Sequence, residues 1–179
     1  MKEIPLSSKN EVNNNGTYSA TVDDDLYDEL SKYNWSISSN GYAQRRIIKP
    51  DGSKSTISMH RQIMELTFGD NKCVDHINGN RLDNQKSNLR VCTHTENLHN
   101  SKLSKRNKSH AKGVFHQRVE YETKNGLVCQ HYWRVSIMFN RKNIFLGTFP
   151  YTPNGFELAK KAYNDAAKKY YGQFAYLNP

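Results

Sequence analysis

An aspartate and a histidine stand next to each other at positions 75 and 76, and two asparagines follow them further along the chain. Asn88 lies 13 positions after Asp75, and Asn97 lies 22 positions after it. Carboxylate and amide oxygens are hard ligands that suit Mg²⁺ and leave room for water and a phosphate oxygen. A histidine that titrates near neutral pH can take a proton from water. The set therefore predicts metal-assisted hydrolysis of a phosphate ester.

Each of the four side chains has a predicted role in that chemistry. Asp75 and Asn97 are expected to hold one divalent ion, Mg²⁺ or Mn²⁺, which would stabilise negative charge on the phosphate and on the leaving oxygen. His76 is the predicted catalytic general base. Asn88 is predicted to fix the loop that carries His76 by hydrogen bonding, a supporting role in catalysis.

Local signals predict how these side chains come together. A turn at 78–79, formed by Asn-Gly, follows a strand that ends at the Asp-His pair, and 88–91 supplies the return strand. Thr93 and Glu96 fit a capping box that starts a helix, with Asn97 near its first turn. A hairpin packed on a helix would bring the aspartate, the histidine and Asn97 together.

This segment resembles the HNH nuclease family, which has a ββα-metal fold, in the form found in phage and intron-encoded homing enzymes. The residues that carry the resemblance are Asp75, His76, Asn88 and Asn97, and Met59–Met64 resembles the His-Arg element that opens the module. The resemblance implies that His76 is the general base and that Asp75 and Asn97 hold one divalent ion.

Plainer interpretations of the predicted ligands remain open. Asp75 followed by Asn-Gly could be ordinary turn chemistry, because these residues favour turns wherever they occur. His94 and His99 flank Asn97, and either could replace it as a ligand, since the phase of a helix is uncertain from sequence.

Three further residue types near the site have interpretations that do not involve catalysis. His60 is expected to be a structural histidine. Arg61 could contact a phosphate of DNA or be solvated. Cys73 and Cys92, at the outer ends of the hairpin strands, are expected to be small buried residues and not half of a zinc site completed by histidines.

Residues 1–59 are predicted to be rich in β-structure. Turn signals at Asn40-Gly41 and Asp51-Gly52 separate short β-type runs. Acidic residues crowd the first turn of a helix predicted over 24–33. The predicted strands are 16–22, 34–37, 42–48 and 56–59.

The C-terminal part of the chain predicts three strands followed by a helix. Trp133, Val135, Ile137 and Phe139 occupy alternate positions of the middle strand, so one face of the sheet should be buried. The helix carries its apolar residues on one stripe. The predicted strands are 113–119, 130–140 and 143–149, and the predicted helix is 155–171.

This C-terminal segment, from about 112 to 179, resembles the APETALA-type DNA-binding domain of plants, which is ethylene-response-factor-like. The matching text is Lys112–Val114, Trp133–Ile137, Phe145–Phe149, Ala162–Ala167 and Gly172 with Asn178. The resemblance implies a three-stranded sheet laid in the major groove of DNA, with the helix packed behind it.

Strand parity predicts which side chains of that sheet face DNA. Val114, Trp133, Ile144 and Leu146 should face the helix. The predicted DNA-contacting residues are Lys112, Phe115, Gln117, Arg134, Ser136 and Asn143, with Arg118, Arg141 and Lys142 near phosphates. Several base-reading arginines of the plant pattern are replaced here, so the plant target sequence does not carry over. Without the resemblance, a polar solvent face is the simpler interpretation.

Charge and composition are consistent with a nucleic-acid partner. The formal net charge is +9, and because residues 1–30 carry two basic and seven acidic side chains, 31–179 have a net charge of +14. Such a surplus suits binding to a polyanion. The sequence has no apolar run long enough for a membrane span and no signal-peptide core. Its three cysteines fit a reducing compartment, so an intracellular protein is expected, in the host cytoplasm if phage-encoded.

The predicted fold class is α+β, in four consecutive segments. The prediction is a site-specific, metal-dependent endonuclease acting on double-stranded DNA, of the homing kind and encoded by a phage or mobile element. The alternatives are a DNA-binding regulator with an inactive nuclease module and a non-specific nuclease anchored by its tail. A monomer or a homodimer would fit, and a monomer is expected to nick. The predicted segments are a β-rich region (1–59), the ββα-metal module (60–104), a basic linker (105–111) and the DNA-binding domain (112–179).

Overall fold

The computed structural model describes residues 1–7, 18–67, 69–104 and 106–179, which form two compact units, Met1–Leu98 and His99–Pro179. Residues 16 and 17 of the predicted strand 16–22, and Lys105 of the predicted linker, lie outside the described residues. The proposed segment boundaries stay predictions.

The first unit is built from short strands and short helices. A two-stranded antiparallel sheet pairs β1 with β2, and β3, β4 and β5 form an antiparallel sheet in sequence order. Helix α1 follows β2, and helix α2 follows β5. The elements are β1 (Lys2–Leu6), β2 (Tyr18–Val22), α1 (Asp24–Leu30), β3 (Ser36–Ile37), β4 (Ala43–Ile48), β5 (Lys54–Ser58) and α2 (Met59–Ile63).

The hairpin predicted from the motif is present in the same unit. Strand β6 (Cys73–His76) pairs antiparallel with β7 (Leu89–Cys92), and a short 3-10 helix (Lys86–Asn88) precedes β7. Helix α3 (His94–His99) follows. The predicted capping box is confirmed, because the Thr93 amide donates to Glu96 Oε2 at 2.7 Å and the Glu96 amide donates to Thr93 Oγ1 at 3.2 Å.

One apolar core joins the N-terminal strands to the hairpin. Ile4, Val22 and Trp35 from the N-terminal region cluster with Val74 and Leu89 from the hairpin. A short hairpin has too little apolar surface to be stable alone. The N-terminal 59 residues therefore supply the apolar layer on which the hairpin folds.

Two local expectations for this unit were wrong or incomplete. Strand β1 was not predicted, because its pattern is short and contains Pro5, which weakens a strand assignment. Met59, expected at the end of a strand, begins helix α2. It is fully buried in the core, so its tertiary environment outweighs its local preference.

The second unit is a three-stranded antiparallel sheet with a helix, and the predicted α+β class is confirmed. Strand β9 lies between β8 and β10. Helix α4 begins two residues earlier than predicted, where Thr152 caps it by accepting a hydrogen bond from the Gly155 amide at 3.0 Å. The elements are β8 (Val114–Thr123), β9 (Gly126–Phe139), β10 (Lys142–Pro150) and α4 (Pro153–Tyr171).

The core of this unit lies between the sheet and α4, as the alternation on β9 predicted. Val135 and Ile137 are buried, and the Trp133 ring lies 4.8 Å from the Phe156 ring of α4. Small residues on the helix, Ala159 among them, are buried against the sheet. Their small size lets the helix axis approach the sheet closely.

Gly113 is required where the chain enters this sheet. Its φ is +67°, and a Cβ atom built there would lie 2.1 Å from the Tyr163 ring and 2.5 Å from the Ser136 carbonyl oxygen. Only glycine combines a positive φ with so close an approach. Just before it, Asn107 and Ser109 hydrogen-bond to the Ala111 carbonyl, and Ala111 is buried.

Candidate functional site

His76 is buried in the first unit, at the end of β6. The residue is 4% exposed, and its Nε2 lies 3.3 Å from Asn84 Oδ1. The rings of His60 and Tyr42 pack around it, with centroids 5.1 Å and 5.9 Å away. Burial lowers the pKa of the His76 imidazole. The ring is therefore neutral, and able to accept a proton, at neutral pH.

Asp75 is buried too and is held by an arginine that the sequence analysis did not select. Arg90 is its direct partner across the hairpin, and Arg90 Nε and Nη2 lie 2.9 Å and 2.5 Å from Asp75 Oδ2. The two side chains are 13% and 7% exposed. A buried carboxylate needs such a partner to offset its desolvation. Arg90 therefore sets the orientation of the predicted metal ligand.

Asp75 and His76 have separate environments. Consecutive residues of a strand point to opposite faces, and the register places Asp75 beside Arg90, and His76 beside Leu89 of the core. Strand β6 ends at His76. Strand parity therefore places the two side chains on opposite faces of β6, and their assembly around one ligand stays a prediction.

Asn88 makes the kind of contact expected of a supporting residue. Its Oδ1 accepts a hydrogen bond from the Asn78 amide at 3.0 Å, and its Nδ2 donates to the Asp83 carbonyl at 2.8 Å. Its carbonyl accepts from the Ile77 amide at 2.9 Å. Asn88 thus closes the turn directly after His76, while its part in catalysis stays a prediction.

The segment between the two hairpin strands is fastened to the N-terminal region. The Thr21 amide donates to the Leu82 carbonyl, and the Asn84 amide donates to the Thr21 carbonyl, both at 2.8 Å. Asp23 Oδ2 accepts from the Lys86 amide at 2.7 Å. Residues 1–59 therefore position the segment that packs against His76, a role that the sequence did not show.

Arg81 places a positive charge near this cluster. Its guanidinium lies 4.8 Å from the centre of the Tyr42 ring, and its Nη1 donates to the Asn40 carbonyl. Tyr42 in turn packs on His60, with ring centroids 5.0 Å apart. His60 is 8% exposed, as a structural histidine should be, but its Nδ1 has no hydrogen-bond partner among the described residues.

The donor set proposed for a divalent ion is chemically suitable, although its assembly stays a prediction. Asn97 is half-buried on α3, and its amide donates to the Thr93 carbonyl at 3.1 Å. Within the described ranges, no group of three or more His, Cys, Asp or Glu side chains could hold a metal. One carboxylate and one amide oxygen instead fit a hard ion that keeps several water ligands, as Mg²⁺ does.

Of the two hairpin cysteines, Cys92 is buried as expected, whereas Cys73 is only half-buried. Cys73 and Cys92 are directly opposed in the register, and all three described cysteines are free thiols. Burial raises the pKa of the Cys92 thiol to about 11. A thiol that stays protonated at neutral pH is a poor metal ligand and a poor nucleophile.

Arg61, predicted to contact DNA, is engaged inside its own unit. Its two terminal nitrogens donate to the Lys72 carbonyl at 2.9 Å and to the Thr67 carbonyl at 2.8 Å. These bonds close the loop between α2 and β6. These contacts give Arg61 a structural role that neither interpretation of the sequence included.

The second unit presents a mixed aromatic and basic surface on the sheet face away from α4. Phe115 is the register partner of Arg134, and the Arg134 guanidinium lies 5.4 Å from the Phe145 ring centre. Phe115, Phe145 and Met138 are 50%, 56% and 55% exposed. Asn143 and half-buried Gln117 complete this outer sheet face.

One residue predicted for this face is placed differently. Ser136 is only 8% exposed, so its expected exposure is wrong. Its amide donates to the Gly113 carbonyl at 2.9 Å. The close approach of the chain at Gly113 covers a position that strand parity alone assigns to the open face.

Four basic residues away from the centre of the sheet were predicted to contact DNA, and they differ in whether other groups of the protein already engage them. Arg141 and Lys142 are exposed at the turn between β9 and β10, whereas Arg118 is exposed but paired with Glu120. Lys112 is half-buried, and its Nζ donates to the His99 carbonyl at 3.1 Å. Burial lowers the pKa of Lys112 to about 8, so Lys112 is the least available of the four for a phosphate.

Comparisons with known proteins agree with the hairpin assignment. Residues 58–99 match the family described as HNH endonuclease. The chain is also similar to an uncharacterized HNH endonuclease, L560, of Acanthamoeba polyphaga mimivirus, with 29% identity over 91% of this chain and 75% of the relative. No solved structure matches the chain significantly.

The helices in the described part of the chain are too short or too polar to span a membrane.

The family match covers α2, the hairpin and α3, which are the elements that carry Asp75, His76, Asn88 and Asn97. Residues 58–99 are therefore an HNH endonuclease domain, and the chain that carries them is a DNA endonuclease.

Proposed function

We propose that the protein is a site-specific, divalent-metal-dependent DNA endonuclease of the homing type, encoded by a phage or mobile element. The observation that carries the proposal is the adjacent Asp75-His76 pair, in which each side chain is buried and each has its own polar partner, Arg90 and Asn84. Buried, oriented titratable groups are what catalysis at a fixed position requires.

His76 is proposed as the general base. Its ring is neutral at neutral pH because burial lowers its pKa, so it can take a proton from the water that attacks phosphorus. The neighbouring rings of His60 and Tyr42 limit its rotation. Because the ring is already held in one orientation, little conformational entropy is lost when it meets the attacking water.

Asp75 and Asn97 are proposed to hold one Mg²⁺ or Mn²⁺ ion at the end of β6. When bound, such an ion supplies Lewis-acid stabilisation of negative charge on the phosphate and the leaving oxygen. Arg90 keeps the Asp75 carboxylate in one orientation. Asn88 keeps the turn after His76 closed through its bond to the Asn78 amide.

Site specificity is proposed to come from the sheet face of the second unit. Arginine and amide side chains on a sheet can pair with base edges in the major groove, and Arg134, Gln117 and Asn143 share that face with exposed aromatic rings. The net charge of +14 over 31–179 favours contact with phosphates. The resemblance to the APETALA-type domain supports the same assignment.

Plasmid cleavage tests the proposal directly. Supercoiled plasmid is incubated with the full-length protein and Mg²⁺, Mn²⁺ or EDTA, and the variant His76→Ala is run in parallel. Discrete nicked or linear products with metal, and none with EDTA or with the variant, are expected. Sequencing of the product ends should then give one recurrent site.

The other outcomes separate the alternatives. A smear of products would show a non-specific nuclease. Binding without any cleavage, under all metal conditions, would show a DNA-binding regulator. Nicks in one strand would fit a monomer with one active set, and paired cuts would fit a dimer.

A further inference from the structure

A fully buried asparagine contacts the imidazole of the proposed general base. Asn84 is 0% exposed, and its Oδ1 lies 3.3 Å from His76 Nε2. Its Nδ2 has no hydrogen-bond partner among the described residues. A buried amide with an unpaired donor is costly, and an apolar residue of the same size would avoid that cost.

The position of Asn84 is fixed from outside the hairpin. The backbone N–H of Asn84 donates to the Thr21 carbonyl of β2. The backbone N–H of Thr21 donates to the carbonyl of Leu82, which lies two residues before Asn84. His76 is fixed separately by its register with Leu89. The two ends of the Asn84–His76 contact are therefore held by different elements, β2 and β7.

An amide oxygen can only accept a hydrogen bond. Facing it, the Nε2 atom of a neutral imidazole must carry the proton, which leaves the lone pair on Nδ1. When histidine acts as a base or a ligand, the hydrogen bond of one ring nitrogen decides whether the other nitrogen carries a proton or a lone pair.

We propose that Asn84 is a positioning residue that holds His76 in its Nε2-protonated tautomer and in one ring orientation, so that Nδ1 is the atom that accepts the proton during cleavage. The inference rests on the proposed role of His76 as general base. It also gives the N-terminal strands a catalytic purpose, because β2 anchors Asn84.

The tautomer of His76 can be measured without a metal and without DNA. Long-range ¹H–¹⁵N correlation spectra of the full-length, histidine-labelled protein at neutral pH distinguish the two ring nitrogens. Loss of one of the seven histidine ring systems in His76→Gln assigns the signal. An Nε2-protonated ring is expected, and a predominantly Nδ1-protonated ring would overturn the proposal.

The variant Asn84→Leu removes the acceptor and keeps similar volume. We expect the His76 signals to show a mixture of tautomers, and kcat to fall about ten- to a hundredfold while KM is unchanged. Unchanged kcat and an unchanged tautomer in a folded variant would also overturn the proposal. If the variant does not fold, the wild-type tautomer still decides.

Asn80→Ala is the matched control. Asn80 is exposed in the same loop and accepts a hydrogen bond from the Leu82 amide at 3.2 Å. Its loss should change neither the His76 tautomer nor kcat. A cleaving enzyme with an Nδ1-protonated His76 would refute the role of Asn84 alone. A non-cleaving protein with the expected tautomer would refute the nuclease proposal alone.

Discussion

The two units of this protein differ in the polar side chains that they bury. Within the described residues of the first unit, His60, Asp75, His76, Asn84 and Asn88 are all buried. The second unit has a conventional apolar core between sheet and helix, and it exposes large apolar and basic side chains on its outer sheet face.

This difference in burial matches the different roles proposed for the two units. Burying titratable and amide groups costs stability, and a structure tolerates that cost where the groups must be oriented. Exposing phenyl rings beside an arginine also has a cost, and it fits a surface that meets a partner. The difference is consistent with the proposal that the first unit carries the cleavage site and the second contacts DNA.

The largest effect is expected from His76, the proposed general base. His76→Ala should reduce cleavage by a factor of about 10² to 10⁴, the usual contribution of general base catalysis, and should leave the DNA dissociation constant unchanged. Cleavage assays and gel-shift titrations measure the two quantities. A loss of affinity in step with activity would break the division between the units.

Replacing the arginine behind Asp75 should damage both stability and activity. Arg90→Met leaves a buried carboxylate without its partner, which commonly costs about 3–5 kcal/mol. Arg118→Met, which breaks the exposed pair with Glu120, should cost about 1 kcal/mol or less. Urea unfolding of both variants compares a buried ion pair with an exposed one. Equal losses of unfolding free energy would contradict the structure.

Gly113→Ala should destabilise the second unit selectively. The added methyl group meets the Tyr163 ring and the Ser136 carbonyl at a positive φ, so a loss of about 3 kcal/mol or more is expected. Gly126→Ala, at φ +112° in open space, should cost less. Fluorescence of Trp133, in a Trp35→Phe background, follows the unfolding of this unit.

Removing one cation from the outer sheet face of the second unit should weaken DNA binding without slowing cleavage. Arg134→Ala should cost about 1–3 kcal/mol of DNA affinity if it contacts a base edge, with kcat on saturating DNA unchanged. Lys161→Ala removes the same charge from the exposed side of α4 and should cost less. Equal losses would mean that the sheet face does not read DNA.

A pH dependence of stability is also expected in the first unit. Burial lowers the pKa of His60 from 6.5 to about 3. Between these two pH values, His60 is protonated in the unfolded chain and neutral in the folded chain. Stability should therefore fall as pH drops from about 6.5 towards 3, by at most about 1.4 kcal/mol per pH unit for one proton. Trp35 fluorescence should show this slope, and His60→Leu should reduce it.

Local signals in the sequence predicted the second unit well. Alternation on β9 identified Val135 and Ile137 as core residues, and the three strands and the helix lie close to their predicted positions. Most contacts in a meander with a following helix join neighbouring elements, so the local pattern is sufficient. Ser136 is the exception, because its burial depends on the path of the chain at Gly113.

For the candidate site, the sequence identified the residues that could do chemistry but not the residues that hold them in place. The Asp-His pair, the return strand and the capping box all have short-range signatures, and the hairpin formed as expected. Arg90 could have been found by pairing the two strands in register, since it faces Asp75. Asn84 had no local signal, since its importance depends on contact with β2, about 60 positions earlier in the chain.

The sequence by itself determined the kinds of atoms that this endonuclease can use, because residue types and short spacings specify turns, caps and strands. Only the tertiary structure decided which of those atoms are buried, oriented and paired. The physical reason is that burial and hydrogen bonding at His76 depend on long-range packing of the N-terminal strands against the hairpin, and such contacts leave no mark in a short stretch of sequence.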